Sequence, residues 1–219
     1  MKEKAVVLVS GGMDSCVAAA VANQEFTPCF LHINYGQRTE KKELEMFHKL
    51  ADFYDVEEKL IISFEHLNKI GGSALTDNNI DVPTGLSENG VPVTYVPFRN
   101  ANLLSAAVSW AEVINAKKIF IGAVAEDSAG YPDCRKEFYD AFNQVIKTGT
   151  KLGDIEIVTP IIDLNKTEIV KLGNKLNAPF EYTWSCYVNN DKACGKCDSC
   201  LRRLNAFKNA GMTDPIPYE

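Results

Sequence analysis

Residues 5–9, Ala-Val-Val-Leu-Val, form an uninterrupted apolar run. Such a run fits a strand buried on both faces, as in a parallel sheet; strict alternation would instead mark a strand with one wet face. Ser10-Gly11-Gly12 breaks the run, and an Ala- and Val-rich stretch from Asp14 to about Glu25 predicts a helix. Residues 27–33 read as a second strand. Between Lys41 and Tyr54, the apolar positions Leu44, Phe47, Leu50, Ala51 and Tyr54 recur at helical spacing. Residues 57–62 give a third strand. Segment 64–95 has weak periodicity and is punctuated by Gly71-Gly72, Asp77-Asn78-Asn79, Pro83, Gly85, Gly90 and Pro92. A loop that long is usually functional, so it is expected to cover a substrate. Beyond it come a helix over 101–115, a strand over 118–124, a helix over 133–147, a strand over 155–159 and a helix over 167–176. A last helix spans 198–209. Regular alternation of strand and helix predicts an α/β fold: a five-stranded parallel sheet with helices on both faces, joined by right-handed crossovers, followed by a C-terminal metal-binding helical tail. Residues 1–180 are expected to form the main domain, and 181–219 a small segment packed on it.

Composition adds little to this picture except by exclusion. The chain has 219 residues, 46 % of them apolar and 24 % charged, which is ordinary for a globular protein. No apolar run approaches the length of a membrane span. The N-terminal apolar run is too short for a signal-peptide core, so a cytoplasmic protein without membrane contact is expected. A net charge of −6, with the 23 basic residues scattered, argues against an extended nucleic-acid-binding face.

Ser10-Gly11-Gly12-Met13-Asp14-Ser15 carries the strongest chemistry. It follows a buried strand and opens a helix. Glycines let the backbone approach a ligand, the helix start offers unpaired N–H groups and partial positive charge, and the two serines add hydroxyl donors. Together they suit a phosphate or pyrophosphate. The Walker spacing and the Gly-x-Gly-x-x-Gly fingerprint are both absent. The hexapeptide resembles the PP-loop of the N-type ATP-pyrophosphatases, which implies ATP cleavage between the α and β phosphates and transfer of AMP to an oxygen. The implied ATP site is Val9, Ser10, Gly11, Gly12, Met13, Asp14, Ser15 and Cys16. Asp14 has two open roles, capping the helix or orienting a Mg²⁺ bound with ATP. Tyr35-Gly36-Gln37-Arg38 lies past the second strand, at the edge where parallel sheets bind ligands. The segment from Pro160 to Glu168 resembles the Pro-Leu…Lys-x-Glu stretch of the same superfamily, which implies that Lys166 reaches the phosphates.

Four of the seven cysteines, Cys186, Cys194, Cys197 and Cys200, fall within 15 residues. An odd total with one tight cluster reads as a metal site rather than a disulfide framework. Four soft ligands and a Cys-x-x-Cys turn favour one structural Zn²⁺ per chain; an iron–sulfur cluster, a redox pair and unligated cysteines are the alternatives.

Further segments make the resemblance specific. Tyr95-Val96-Pro97-Phe98-Arg99-Asn100, Gly130-Tyr131-Pro132-Asp133-Cys134-Arg135 and Thr183-Trp184-Ser185-Cys186-Tyr187 resemble motifs of the 7-cyano-7-deazaguanine synthase family of queuosine biosynthesis, along most of the chain. Met13, Cys16, Phe98 and Ala129 depart from its usual pattern. The resemblance implies an adenine nucleotide α-hydrolase-like fold, a carbon–nitrogen ligase using ATP, ammonia and a 7-deazaguanine acid, and a homodimer. Asp14 and Lys166 are the implied catalytic residues. Arg38, Arg99, Asn100, Glu126, Tyr131, Asp133 and Arg135 are the implied substrate contacts. Arg99 and Arg135 would grip a carboxylate or phosphate, and Glu126 and Asp133 would read the N–H edge of the base. Tyr131 would stack or merely pack, and Cys134 is expected to pack.

Overall fold

The computed structural model describes residues 2–86, 90–124 and 130–219. Its elements run β1 (Lys4–Leu8), α1 (Met13–Glu25), β2 (Thr27–Asn34), α2 (Glu40–Phe53), β3 (Lys59–Ser63), α3 (Glu65–Ile70), α4 (Arg99–Ile114), β4 (Lys118–Phe120), α5 (Lys136–Gly149), β5 (Glu156–Val158), α6 (Lys166–Lys175) and α7 (Asp198–Asn209). Short 3₁₀ turns cover Pro132–Cys134 and Phe180–Tyr182.

The five strands form one sheet in the order β3-β2-β1-β4-β5, and every pairing is parallel. The apolar run that begins the chain thus becomes the central strand. Its alternate residues serve two cores. Ala5, Val7 and Val9 pack with α1, α2, α6 and α7 on one face, while Val6 and Leu8 pack with α4 and α5 on the other. Complete burial of a valine side chain contributes roughly 1.5–3 kcal/mol, so both faces of β1 need helices. The chain leaves β1 for β2 over one face and enters β4 after crossing the other. That reversal opens a crevice beyond the C-terminal ends of β1 and β4, the usual ligand position in open α/β sheets.

Several boundaries differ from expectation for identifiable reasons. The strand expected over 118–124 ends at Phe120. Gly122 passes so close to the start of α1 that a Cβ there would lie 2.6 Å from the Asp14 carbonyl carbon. Helix α4 starts at Arg99, so Arg99 and Asn100 belong to its first turn rather than to the preceding loop. The segment expected to be one long loop contains α3, which buries only Leu67 and so leaves almost no periodic signal. Its continuation is anchored: Ser73, Ala74, Leu75 and Thr76 are buried. Among the described residues, no helix is long and apolar enough to cross a membrane.

Beyond α6 the chain folds back onto the sheet. The Trp184 N–H donates to the Gly11 carbonyl at 2.8 Å, tying the cysteine segment to the glycine turn. Arg203, fully buried, reaches Asp214 with two hydrogen bonds of 2.7 and 2.9 Å and the Thr183 hydroxyl with another of 2.7 Å. This clasp fixes the C-terminus under α7.

Candidate active site and cysteine knot

Gly12 is the N-cap of α1 in extended conformation, and no side chain caps the helix. The first-turn N–H groups therefore keep the unpaired donors and positive end of the helix. Ser15 donates its hydroxyl to the Gly12 carbonyl at 3.0 Å, the Gly12 N–H donates to Ser10 Oγ at 3.2 Å, and the two serine oxygens lie 3.2 Å apart. Gly11 has φ of +84°, and a Cβ there would lie 2.6 Å from the Glu43 carbonyl oxygen of α2. Glycine is thus required both by conformation and by close approach.

Asp14 sits in the first turn of α1 and does not cap it; of its two open roles, capping is excluded. Its Oδ2 accepts from Lys166 Nζ at 2.8 Å. Its Oδ1 is buried without a hydrogen-bond partner among the described residues, an arrangement that costs about 1–3 kcal/mol unless something binds it. Lys166 opens α6, whose N-cap Asn165 forms a capping box with Glu168. The ion pair with Asp14 offsets the penalty of a lysine at a helix start.

Ser10, Gly12, Asp14, Ser15 and Lys166 line one part of a cavity of about 380 Å³ that also touches Val9, Gly122 and Trp184. Arg99, Asn100, Tyr131 and Cys134 line its other part. Arg99 donates to the Tyr35 hydroxyl at 3.1 Å and to Asn100 Oδ1 at 3.3 and 3.4 Å, with its guanidinium 5.4 Å from the Tyr35 ring centre. Burial lowers the pKa of Arg99, but the Tyr35 phenol, the Cys134 thiol and Asp133 more than offset this, for a net upward shift. Tyr131 and Thr94 share a hydrogen bond of 2.8 Å between their hydroxyls.

Other expected site residues lie elsewhere. Cys16 is fully buried in the core beneath α1, where burial pushes its thiol up to about 12; it faces away from the cradle. Gly11 supports the turn from behind rather than lining the cavity. Arg38 touches the cavity wall, yet its guanidinium donates to the carbonyls of Ala74, Asp77 and Ile80. It clamps the loop after α3. Asp133 is buried off the wall; its Oδ2 accepts from the Asn100 N–H at 2.9 Å, and its carbonyl accepts from the Asn100 amide at 3.0 Å. The carboxylate anchors the start of α4. Arg135 is exposed at the N-cap of α5, also off the wall. Glu126 and Ala129 lie outside the described residues. Gly122 was missed by the sequence reading, although a glycine just after a central strand is a usable signal of close approach.

The thiols of Cys186, Cys194, Cys197 and Cys200 all lie within 4.8 Å of one another, and Cys194 and Cys200 are 4.0 Å apart at sulfur. Tetrahedral binding with metal–sulfur bonds of about 2.3 Å calls for sulfurs roughly 3.8 Å apart, so the set fits a single ion. Backbone N–H groups of Val188, Asn189 and Cys194 point at Cys186 Sγ, and those of Lys196 and Cys197 at Cys194 Sγ, at 3.3–3.4 Å. Such donors stabilise thiolates, the form that binds metal. Hydrogen bonds from the Cys197 and Cys200 thiols, then these N–H groups, hold Cys186 well below the usual thiol range.

A 3-2-1-4-5 parallel sheet with a glycine-lined anion cradle at its switch point defines an adenine nucleotide α-hydrolase-like fold of the PP-loop class. The structure of NMN synthetase from Francisella tularensis shares this fold, with a TM-score of 0.53 and 17 % identity, covering 97 % of this chain and 78 % of its own. Within that class the particular family is also shown: the family described as queuosine biosynthesis protein QueC matches residues 4–211, and the chain belongs to it. The 7-cyano-7-deazaguanine synthases of Chlorobaculum parvum (strain DSM 263 / NCIMB 8327) and Chlorobium phaeobacteroides (strain DSM 266 / SMG 266 / 2430) are each 59 % identical over 219 residues. Each alignment covers 99 % of this chain, and 96 % and 97 % of the respective relative.

Proposed function

We propose that the chain converts 7-carboxy-7-deazaguanine and ammonia into 7-cyano-7-deazaguanine, using two ATP and passing through an adenylated acid and an adenylated amide. The observation that carries this is the uncapped start of α1 beside Lys166 and Asp14, at the end of the central strand. In the first step a carboxylate oxygen attacks the α-phosphorus and pyrophosphate leaves. Ammonia then displaces AMP and loses a proton, giving the amide. In the second step the amide oxygen attacks a second ATP, and pyrophosphate leaves with loss of one N–H proton. Breaking the C–O bond then releases AMP, and loss of the remaining N–H proton leaves the nitrile. Each transfer turns a poor leaving oxygen into a good one.

The protein's main task is to bring anions together, which preorganised donors do without reorganisation. The N–H groups of Met13, Asp14 and Ser15, with the hydroxyls of Ser10 and Ser15, would hold the phosphates, and Lys166 would neutralise them. The orphaned Oδ1 of Asp14 fits a Mg²⁺ carried by ATP, an ion that stabilises charge on phosphate oxygens when bound. Tyr131 and Asn100 would contact the deazaguanine. Four cysteine sulfurs that all lie within 4.8 Å of one another, with no fifth ligand among them, suit a single structural Zn²⁺ better than a multi-iron core. On this reading residues 1–180 form the catalytic domain of a cytoplasmic enzyme and 181–219 its zinc-bound segment.

Substituting Lys166→Ala or Ser15→Ala should lower substrate-dependent exchange between ATP and labelled pyrophosphate by about 10²–10³-fold while leaving the thermal midpoint within a few degrees. Exchange that survives in both variants would refute the phosphate assignment.

A further inference from the structure

Two of the cations that line the cavity, Lys166 and Arg99, are treated differently. At the phosphate end, Lys166 is paired with Asp14. Arg99 hydrogen-bonds only to neutral groups among the described residues, the Tyr35 hydroxyl and the Asn100 amide oxygen. The Asp133 carboxylate is near enough to act on Arg99 through its charge, but its Oδ2 accepts from the Asn100 N–H rather than from the guanidinium. A guanidinium keeps its charge at any working pH, and a charge drawn out of water is costly unless its hydrogen-bonding capacity is filled. Of its five N–H donors, three are engaged, leaving one on each terminal nitrogen. That pair can bind a carboxylate end-on through two hydrogen bonds.

We infer that Arg99 is the residue that recognises the substrate's carboxylate, and that it serves the acid-consuming step and not the amide-consuming step. The inference rests on the function proposed above, in which one cavity takes first an acid and then its amide. Those substrates differ at a single group. The acid is an anion with two acceptor oxygens. The amide is neutral, and its NH₂ cannot bond to Arg99, which has donors only. After amination the two-point charged contact is reduced to at most one hydrogen bond to a neutral amide oxygen. Arg99 is thus a specificity residue for one half of the sequence. Its position is held by Asn100, itself fixed by Asp133, and by the Tyr35 hydroxyl.

The two halves can be assayed apart. Wild type, Arg99→Gln and Arg99→Lys are given either the acid with ammonia and ATP, reading amide, or the synthetic amide with ATP, reading nitrile. Two charge-assisted hydrogen bonds correspond to about 10²-fold. Arg99→Gln should therefore lose about 10²-fold in kcat/KM for the acid, mostly through KM, and stay within about threefold for the amide. Arg99→Lys, which keeps the charge but not the fork, should fall between. Equal losses in both halves, which would place ATP phosphate or packing on Arg99, overturn the inference, as does no loss in either. If Arg99→Gln does not fold, the ratio of acid to amide turnover in Arg99→Lys decides in the same way. Wild-type protein that converts neither substrate would instead refute the proposed function.

Discussion

The glycine turn and the cysteine knot touch each other, yet they are built on opposite principles. The turn offers backbone N–H groups and two serine hydroxyls, and its glycines matter by what they lack: a Cβ on Gly11 would collide with α2, and one on nearby Gly122 would collide with α1. The knot depends wholly on side chains, four thiols gathered within 4.8 Å. One region is fragile to addition, the other to deletion. They are coupled by the Trp184 N–H to Gly11 carbonyl bond and by Lys42, whose ammonium lies 5.2 Å from the Trp184 ring centre. The cysteine cluster thereby holds one wall of the glycine turn in place.

Deleting a ligand should have the largest effect. Apparent binding energies of structural zinc in small peptides reach about 10–16 kcal/mol, so Cys186→Ser should remove several kcal/mol of stability together with the metal. Elemental analysis and urea unfolding report both, and ATP affinity should fall because Trp184 is released. Full metal content or unchanged ATP affinity in this variant would break the proposed coupling. Adding a methyl group at Gly11 comes next. Gly11→Ala forces positive φ and a clash, expected to cost about 1–3 kcal/mol and to weaken ATP binding without loss of metal; a variant as stable as wild type would contradict the packing argument. Cys16→Ala should do least. It removes a core sulfur for about 1 kcal/mol and should leave nucleotide affinity within about twofold. It also carries a pH signature. The thiol ionises near 9.0 when unfolded and is pushed up to about 12 by burial. The wild type should therefore lose stability relative to Cys16→Ala as pH climbs between those values, and keep it below. A marked drop in ATP affinity would return Cys16 to the cradle.

The same contrast explains what the sequence disclosed. Features defined by local residue type were legible: the five-residue apolar run as a central strand, the glycine turn between strand and helix, the cysteine spacing, and α7 with its observed limits. Features defined by who meets whom were not. Arg202 and Arg203 are neighbours of identical chemistry, but the first pairs with Asp198 on the helix surface and the second is buried against Asp214. Arg38 and Asp133 sit in motifs that suggest ligand contact, and the fold uses them on its own backbone. Short α3 buries a single leucine and so escaped detection.

The central claim is that this cradle splits ATP at the α-phosphorus. The most direct test incubates metal-replete protein with ATP labelled at the α-phosphate, the deazaguanine acid and ammonia, and follows nucleotide and product together. Labelled AMP with pyrophosphate, about two of each per nitrile formed, is the expected result. Labelled ADP with inorganic phosphate, or product without AMP, would contradict it.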